Sequence, residues 1–311
     1  MVTKKEFTFL SRNGKDNCHA ISWTPENGQI KAVFQIIHGM REHIDRYDAF
    51  ATFLAEQGIL VVGADHLGHG KTAPTEKDLG YFGEGDIPTI LVRDAHRLKK
   101  IVQEQNPGIP YFILGHSMGS FVLRKYLSMY RKGINGAILI GTASMSSFVT
   151  RFGIILSSIL KVFQGGRHKS NLLEKISFGS YNKKIPDVVT SSDWLTEDAD
   201  AIKAYRQDPY CGYTFSVNGF NGLYRLINFV CKAKYITSIQ KDIPILIMSG
   251  KMDPVGDYGK GPVKVYEQYK KVNMTDVELQ LYDDMRHEVL FSRRKQDVYN
   301  YMLNWVTNHI K

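Results

Sequence analysis

Residues 111–127, YFILGHSMGSFVLRKYL, constrain this chain more than any other stretch. Tyr111-Phe112-Ile113-Leu114 is a short apolar run, long enough for a buried strand and too short for a helix. Phe121 to Leu127 carries apolar residues at helical spacing, and Gly115-His116-Ser117-Met118-Gly119 between them fits G-x-S-x-G. A strand that turns into a helix this sharply brings the two elements close together, which needs neighbours without side chains and strains the residue at the apex. In that context Ser117 is a candidate nucleophile. The plainer alternative is a strand-to-helix turn with a serine N-cap. Partners elsewhere in the chain decide between them.

The same rhythm recurs around this stretch. Lys5–Leu10 and Ala20–Trp23 alternate as strands, with a turn at Asn13-Gly14. Ala32–Ile37 is an apolar strand running into His38-Gly39-Met40, and Tyr47–Gln57 is helical up to a Gly58 cap. Ile59–Ala64 is a strand followed by the loop Asp65–Gly70, Asp86–Gln105 a helix, and Gly136–Ile140 a strand. Strands alternating with helices predict an α/β fold with a mostly parallel central sheet and helices on both faces. Ligands bind such sheets at the carboxyl ends of the strands, where His38, Asp65 and Ser117 all fall.

From about Ser144 to Gln240 the alternation lapses into Ser, Tyr, Asn and Lys with interrupted helical patterns. It resumes with strands at Ile243–Met248 and Val277–Leu281 and a closing helix over Gln296–His309. No Pro/Gly/Ser-rich linker or internal repeat is present. The expected organisation is a single domain with a core at 1–143 and 241–311 and a mostly helical cap inserted at about 144–240.

A serine hydroxyl becomes a useful nucleophile when a base takes its proton and an acid orients that base. When an elbow tops a parallel sheet, acid and histidine follow the serine in chain order, each in a loop beyond a core strand. Ile245–Met248 runs into Ser249-Gly250-Lys251-Met252-Asp253, and Val277–Leu281 into Tyr282–His287. Asp253 and His287 are therefore the candidate acid and base. Asp257 lies further from its strand end, Asp242 at the wrong end, and Asp283 and Asp284 in the histidine's own loop. His116 lies within the elbow, with its side chain expected to point away from a base's position. His43, His66 and His69 read as structural hydrogen-bonding groups.

An oxyanion needs donors. The backbone N–H of Met118, after the nucleophile, is one candidate, and that of Met40, in the loop after the third strand, is the other. No phosphate-cradling G-x-G-x-x-G or G-x-x-x-x-G-K-[ST] occurs. His66 and His69 lack further ligands for a metal, so no cofactor or metal is expected.

Composition excludes several classes. The chain has 311 residues and a net charge of +9, but its basic residues are scattered and no nucleic-acid-binding pattern appears. Nucleic acid is not an expected partner. The start, MVTKKEFTFLSRNGKD, lacks the apolar stretch of a signal peptide, and every apolar run reads as too short to span a bilayer. Cys18, Cys211 and Cys231 show no C-x-x-C spacing and read as free thiols, which places the protein in the cytoplasm.

HGMREHIDRY from His38, DHLGHGKT from Asp65, GHSMGS from Gly115, SGKMDPVGD from Ser249 and MRHEVL from Met285 together resemble the monoacylglycerol lipase and lysophospholipase group of α/β-hydrolases. That group overlaps families named for serine aminopeptidases. The resemblance implies the α/β-hydrolase fold, Ser117 as nucleophile, His287 as base, Asp253 as acid and an oxyanion hole at Met40 and Met118. Thr72 departs from the serine usual after the G-H-G-x turn, a hydroxyl exchange. The cap aligns with nothing in the group.

The activity this implies is hydrolysis of carboxylic esters through an acyl-enzyme, with monoacylglycerols first among substrates. Lysophospholipase and short-chain carboxylesterase are the alternatives; an aminopeptidase or a non-catalytic ligand-binding protein would also use the fold. Phe148–Phe163 reads as a cap helix packed over the core, or as an acyl entrance touching lipid beside Arg167, Lys169, Lys175, Lys183 and Lys184. Trp194, Tyr205, Tyr210, Tyr213, Phe215, Phe220 and Tyr224 are candidates for lining an apolar cavity. Acyl length, head group and oligomeric state are not written in these residues.

Overall fold

Apolar runs bounded by turn residues form the strands that their sequence predicts. The computed structural model describes residues 1–26 and 29–310, so Asn27, Gly28 and Lys311 lie outside it. The strands are β1 (Val2–Leu10), β2 (Asn17–Pro25), β3 (Ala32–Ile37), β4 (Ile59–Ala64), β5 (Tyr111–His116), β6 (Gly136–Ile140), β7 (Ile245–Gly250) and β8 (Val277–Tyr282). They form one sheet in the order β1-β2-β4-β3-β5-β6-β7-β8. β1 and β2 pair antiparallel, as do β2 and β4, and every other pair is parallel. β1 begins earlier than Lys5, because Val2 already pairs with Pro25.

Helices α1 (Asp48–Glu56), α2 (Ile87–Gln105), α3 (Met118–Met129), α4 (Ser147–Gln164), α5 (Asn171–Phe178), α6 (Ala199–Gln207), α7 (Val217–Val230), α8 (Ala233–Ile236), α9 (Lys260–Lys271) and α10 (Lys295–Asn308) complete the fold. Alternate strand residues feed two cores. Val33, Ile113 and Ile247 pack with Leu91 and Leu98 of α2, Val122 of α3 and Val265 of α9. Phe34, Phe112 and Leu246 pack on the other face with Phe50 of α1 and Met302 of α10. Each such side chain contributes roughly 1.5–3 kcal/mol on burial. Gln35, a polar residue buried in mid-strand, is satisfied: its amide donates to Ala95 O at 3.0 Å and accepts from Tyr111 Oη at 2.6 Å. This is the α/β-hydrolase fold, and its parallel order puts the ends of β3, β5, β6, β7 and β8 side by side.

α9 is not anticipated by the sequence reading. Its start, Lys260-Gly261-Pro262, looks like a turn, yet proline is tolerated in the first turn of a helix, and Val265 and Tyr269 then share the buried face.

Between β6 and β7 lie α4 to α8. α4 packs on its neighbours through its small residues. Thr150, Gly153 and Ser157 face inward, while Phe148, Phe152, Ile155, Ile159, Val162 and Phe163 are exposed. Small residues let α4 approach α7 closely; a Cβ at Gly153 would stand 2.8 Å from the Tyr224 ring. Asn221 of α7 donates to Ser157 Oγ at 2.9 Å, joining the two helices by a polar contact. α4 also corrects the expectation that no stretch reaches spanning length. Its 18 residues, with mean hydropathy 1.2, are long and apolar enough by composition alone, although no membrane contact follows from that.

Candidate active site

Ser117 stands between β5 and α3 with φ 51° and ψ −118°, a conformation that L-residues rarely hold. The two glycines make the turn possible. A Cβ at Gly115 would lie 2.4 Å from Gly119 O, and one at Gly119 would lie 2.0 Å from Ile37 O. Ser117 N–H donates to Ile140 O at 2.9 Å, and its carbonyl accepts from Ser120 Oγ at 2.6 Å. The Ser117 side chain makes no cap bond to α3, so the N-cap reading of this serine does not hold.

β7 and β8 carry the candidate acid and base. Gly250 lets their loops touch, since a Cβ there would sit 2.0 Å from Met285 O. Met252 N–H donates to Met285 O at 3.0 Å, lacing the loops together. His287 Nδ1 and Asp253 Oδ2 are 2.9 Å apart, and both residues are buried. Asp253 Oδ1 accepts from Val255 N–H at 2.8 Å. Burial pulls the His287 imidazole down, but the Asp253 carboxylate, through charge and hydrogen bond, carries it above its ordinary value. The rival acids stand apart: Asp242, Asp257, Asp283 and Asp284 are exposed.

Ser117, His287, Met40 and Met118 line one cavity of about 170 Å³, with Asp253 behind the histidine. Its outer walls come from Val149, Phe152 and Leu156 of α4, Ile176 and Phe178 of α5, and Leu223 and Ile227 of α7. Met40 and Met118 donate no backbone hydrogen bond among the described residues. The N–H of Gly39, between His38 and Met40, does: it is 2.6 Å from Glu42 Oε1.

Glu42 is the residue that the sequence reading missed. Its Oε1 also accepts from Tyr47 Oη at 2.9 Å and meets His116 Nδ1 at 3.0 Å. Arg46 bonds Glu42 Oε2 at 2.7 Å and grips Glu288, next to His287, at 2.8 and 2.9 Å. Burial opposes a charge on Glu42, but His116 and Arg46 hold its carboxyl well below the usual range. The network ties the turn of Met40 to the loop of His287. A charged pair buried at H-G-x-x-E-x-x-x-R spacing is a signal, but periodicity does not report it.

The other histidines divide. His116 corrects its expectation: its ring is 5.1 Å from that of His287 and lines the cavity, although Nδ1 is committed to Glu42 and Tyr47. His66 and His69 are buried structural groups, pushed down by burial to about 4 and about 3. His43 bonds Asp208 at 2.8 Å. The Thr72 hydroxyl accepts from His19 N–H at 2.8 Å and donates to Asp65 O at 2.9 Å, so a hydroxyl is what the position uses.

Of the candidate aromatics, Trp194, Tyr205 and Tyr224 line the cavity. Trp194 packs on His287 with ring centres 5.2 Å apart. Phe215 and Phe220 are core residues, Tyr213 stacks on Phe215, and Tyr210 packs on His43.

Residues 28–294 match the family described as "Serine aminopeptidase, S33". A monoacylglycerol lipase of Mycolicibacterium smegmatis is 24% identical over 308 residues, covering 99% of each chain. The monoglyceride lipase of Rattus norvegicus is 26% identical, covering 93% of this chain and 86% of its own. Among solved structures, a thermostable carboxyl esterase from Bacillus coagulans in complex with glycerol superposes with TM-score 0.92 at 29% identity over the whole of both chains.

Proposed function

The chain belongs to the serine aminopeptidase S33 family, and from that premise we propose that Ser117, His287 and Asp253 are the catalytic triad of a monoacylglycerol-lipase-like carboxylic ester hydrolase. The observation that carries this reading is the buried 2.9 Å His287–Asp253 pair facing the apolar cavity that Ser117 also lines. Ser117 attacks the ester carbonyl while His287 takes its proton and passes it to the leaving alcohol. Asp253 orients the ring through Nδ1 and stabilises the imidazolium. The backbone N–H groups of Met40 and Met118 receive the oxyanion. Water activated by His287 then releases the fatty acid and restores the serine.

The apolar walls suit a long acyl chain over a short one, and the likeness to monoacylglycerol lipases favours monoacylglycerols over lysophospholipids. An aminopeptidase needs an acid for the substrate ammonium. Glu42 and Glu288, the acids lining the cavity, are both matched by Arg46.

Residues 144–240 serve in this reading as a cap on a single domain whose core is 1–143 and 241–311. The outward apolar face of α4 is the surface through which the cap touches lipid. The free thiols of Cys18, Cys211 and Cys231 suit a cytoplasmic setting.

Turnover of p-nitrophenyl esters by wild type and Ser117→Ala tests the triad. A loss of about 10⁴-fold or more is expected, and equal rates would overturn the assignment. A fluorophosphonate probe should label wild type alone.

A further inference from the structure

Outside the ester site, the loop after β3 and the turn after α6 bring three metal-ligating side chains together. The ligand atoms of His43, Asp208 and Cys211 all lie within 4.8 Å of one another. They are the one such group of His, Cys, Asp or Glu among the described residues. We propose that they bind a divalent cation of borderline softness, Zn²⁺ being the type, which fastens the 208–212 turn to the loop carrying Met40.

The donor set chooses the metal. One imidazole nitrogen, one carboxylate oxygen and one thiolate sulfur form a mixed set suited to zinc, whereas Mg²⁺ and Ca²⁺ ask for oxygen throughout. Three protein ligands leave a fourth position for water, and a solvent-open cleft reaches two of the three, His43 and Asp208. Burial pushes the Cys211 thiol up, so the ion itself has to displace the thiol proton to solvent, after which the thiolate and Asp208 balance the 2+ charge. Arg46 is the nearby cation, but Glu42 and Glu288 already match it.

The turn is held in place before any ion arrives. Tyr210 N–H donates to Asp208 Oδ1 at 2.8 Å, which leaves Oδ2 aimed at His43 Nε2, 2.8 Å away. Cys211 N–H donates to Asp208 O at 3.1 Å. Gly212 N–H and Tyr205 Oη each reach Arg41 O at 3.1 Å, anchoring the turn to the loop one residue after Met40. Supporting bonds of this kind orient ligands and raise affinity. Zinc bonds of about 2.0–2.3 Å require the His43–Asp208 contact to open by a few tenths of an ångström, which side-chain rotation supplies. The ion therefore competes with a direct His–Asp bond, and that bond alone is the rival description.

Cobalt titration of the full chain under reducing conditions tests the site. Tetrahedral Co²⁺ bound to a thiolate gives a sulfur-to-metal band in the near ultraviolet, and Zn²⁺ should abolish it. Expected is a saturable band at one ion per chain, absent in Cys211→Ser and with affinity lowered at least about tenfold in Asp208→Asn and His43→Ala. Circular dichroism checks folding; if Cys211→Ser does not fold, the weakened titration of the half-buried Asp208→Asn carries the test. No saturable band in wild type, or an unchanged band in the variants that fold, overturns the site. Ester turnover is not the readout, so either result leaves the hydrolase reading untouched.

Discussion

The Glu42 carboxylate holds the backbone N–H of Gly39 at 2.6 Å, and that bond fixes the turn that brings Met40 to the cavity wall. An acid buried at such a place is costly unless every lone pair is used. Here Gly39, Tyr47, His116 and Arg46 use them.

Glu42→Gln keeps the shape but turns an NH₂ group towards one of those donors. The Met40 turn then shifts without any change in the acyl walls. A fall of about 10–100-fold in kcat is expected, because misplacing a positioned group by about 1 Å costs on the order of 10². KM should stay within about twofold. Steady-state kinetics on a soluble ester separates the two constants. A rise in KM at unchanged kcat would show that Glu42 contacts substrate instead of positioning the loop.

The His287–Asp253 pair sets the pH response. Because the carboxylate raises the His287 pKa above its ordinary value, the neutral base forms only as pH climbs through that raised value. The acid limb of the kcat/KM profile should therefore lie above about pH 6.5, the free imidazole value. Asp253→Asn should move it down and lower kcat by about 10⁴-fold. Stability runs the other way: the pair's contribution is complete below the unfolded pKa and is lost as pH rises through the folded one. Comparing wild type with Asp253→Asn, by rate and by thermal denaturation across this window, isolates the pair from other titrating groups. An unmoved acid limb in Asp253→Asn would remove His287 as its source.

Gly153 is where α4 meets α7. Alanine there would put a Cβ 2.8 Å from the Tyr224 ring, whose hydroxyl is already bonded to Ser177 at 2.7 Å. The ring cannot swing away without breaking that bond, so the helices must part. Gly153→Ala should cost about 1–3 kcal/mol, as overpacking does, despite the better helix propensity of alanine. Urea denaturation measures it, and a gain in stability would mean that the interface has slack.

The elements legible in the sequence are those with one unambiguous period. β3, β5 and β7 are buried on both faces and read as continuous apolar runs, so the sheet, the elbow and the loops of Asp253 and His287 follow from strand order. What stayed hidden depends on contacts across the chain. Glu42 has Gly39 and Arg46 within its own loop, but its role shows only when folding brings His116 against it and Arg46 against Glu288. Trp194 looks like any aromatic until the chain between β6 and β7 sets it against His287. The sequence leaves α4 open between packing over the core and touching lipid, because only the close approach to α7 turns Thr150, Gly153 and Ser157 inward and the larger apolar residues out.

That orientation leaves an apolar surface with a definite consequence. Phe148 and Phe163 are 81% and 82% exposed at the two ends of α4, and neither lines the cavity. The basic residues beside them are partly spoken for. Lys161 pairs with Glu84 at 2.7 Å, Arg167 with Asp78, and Lys169 with Leu79 O. Attraction to lipid should then come chiefly from apolar burial, with charge in a lesser role. If each phenylalanine gains about 1.5 kcal/mol in the interface, the low end of its burial value, losing both weakens partitioning about 100-fold. Phe148→Ser/Phe163→Ser should therefore leave turnover of a soluble p-nitrophenyl ester unchanged while abolishing sedimentation with neutral vesicles. Anionic vesicles should retain a residual, salt-sensitive fraction. Equal recovery of wild type and variant on neutral vesicles would mean that α4 does not meet the lipid.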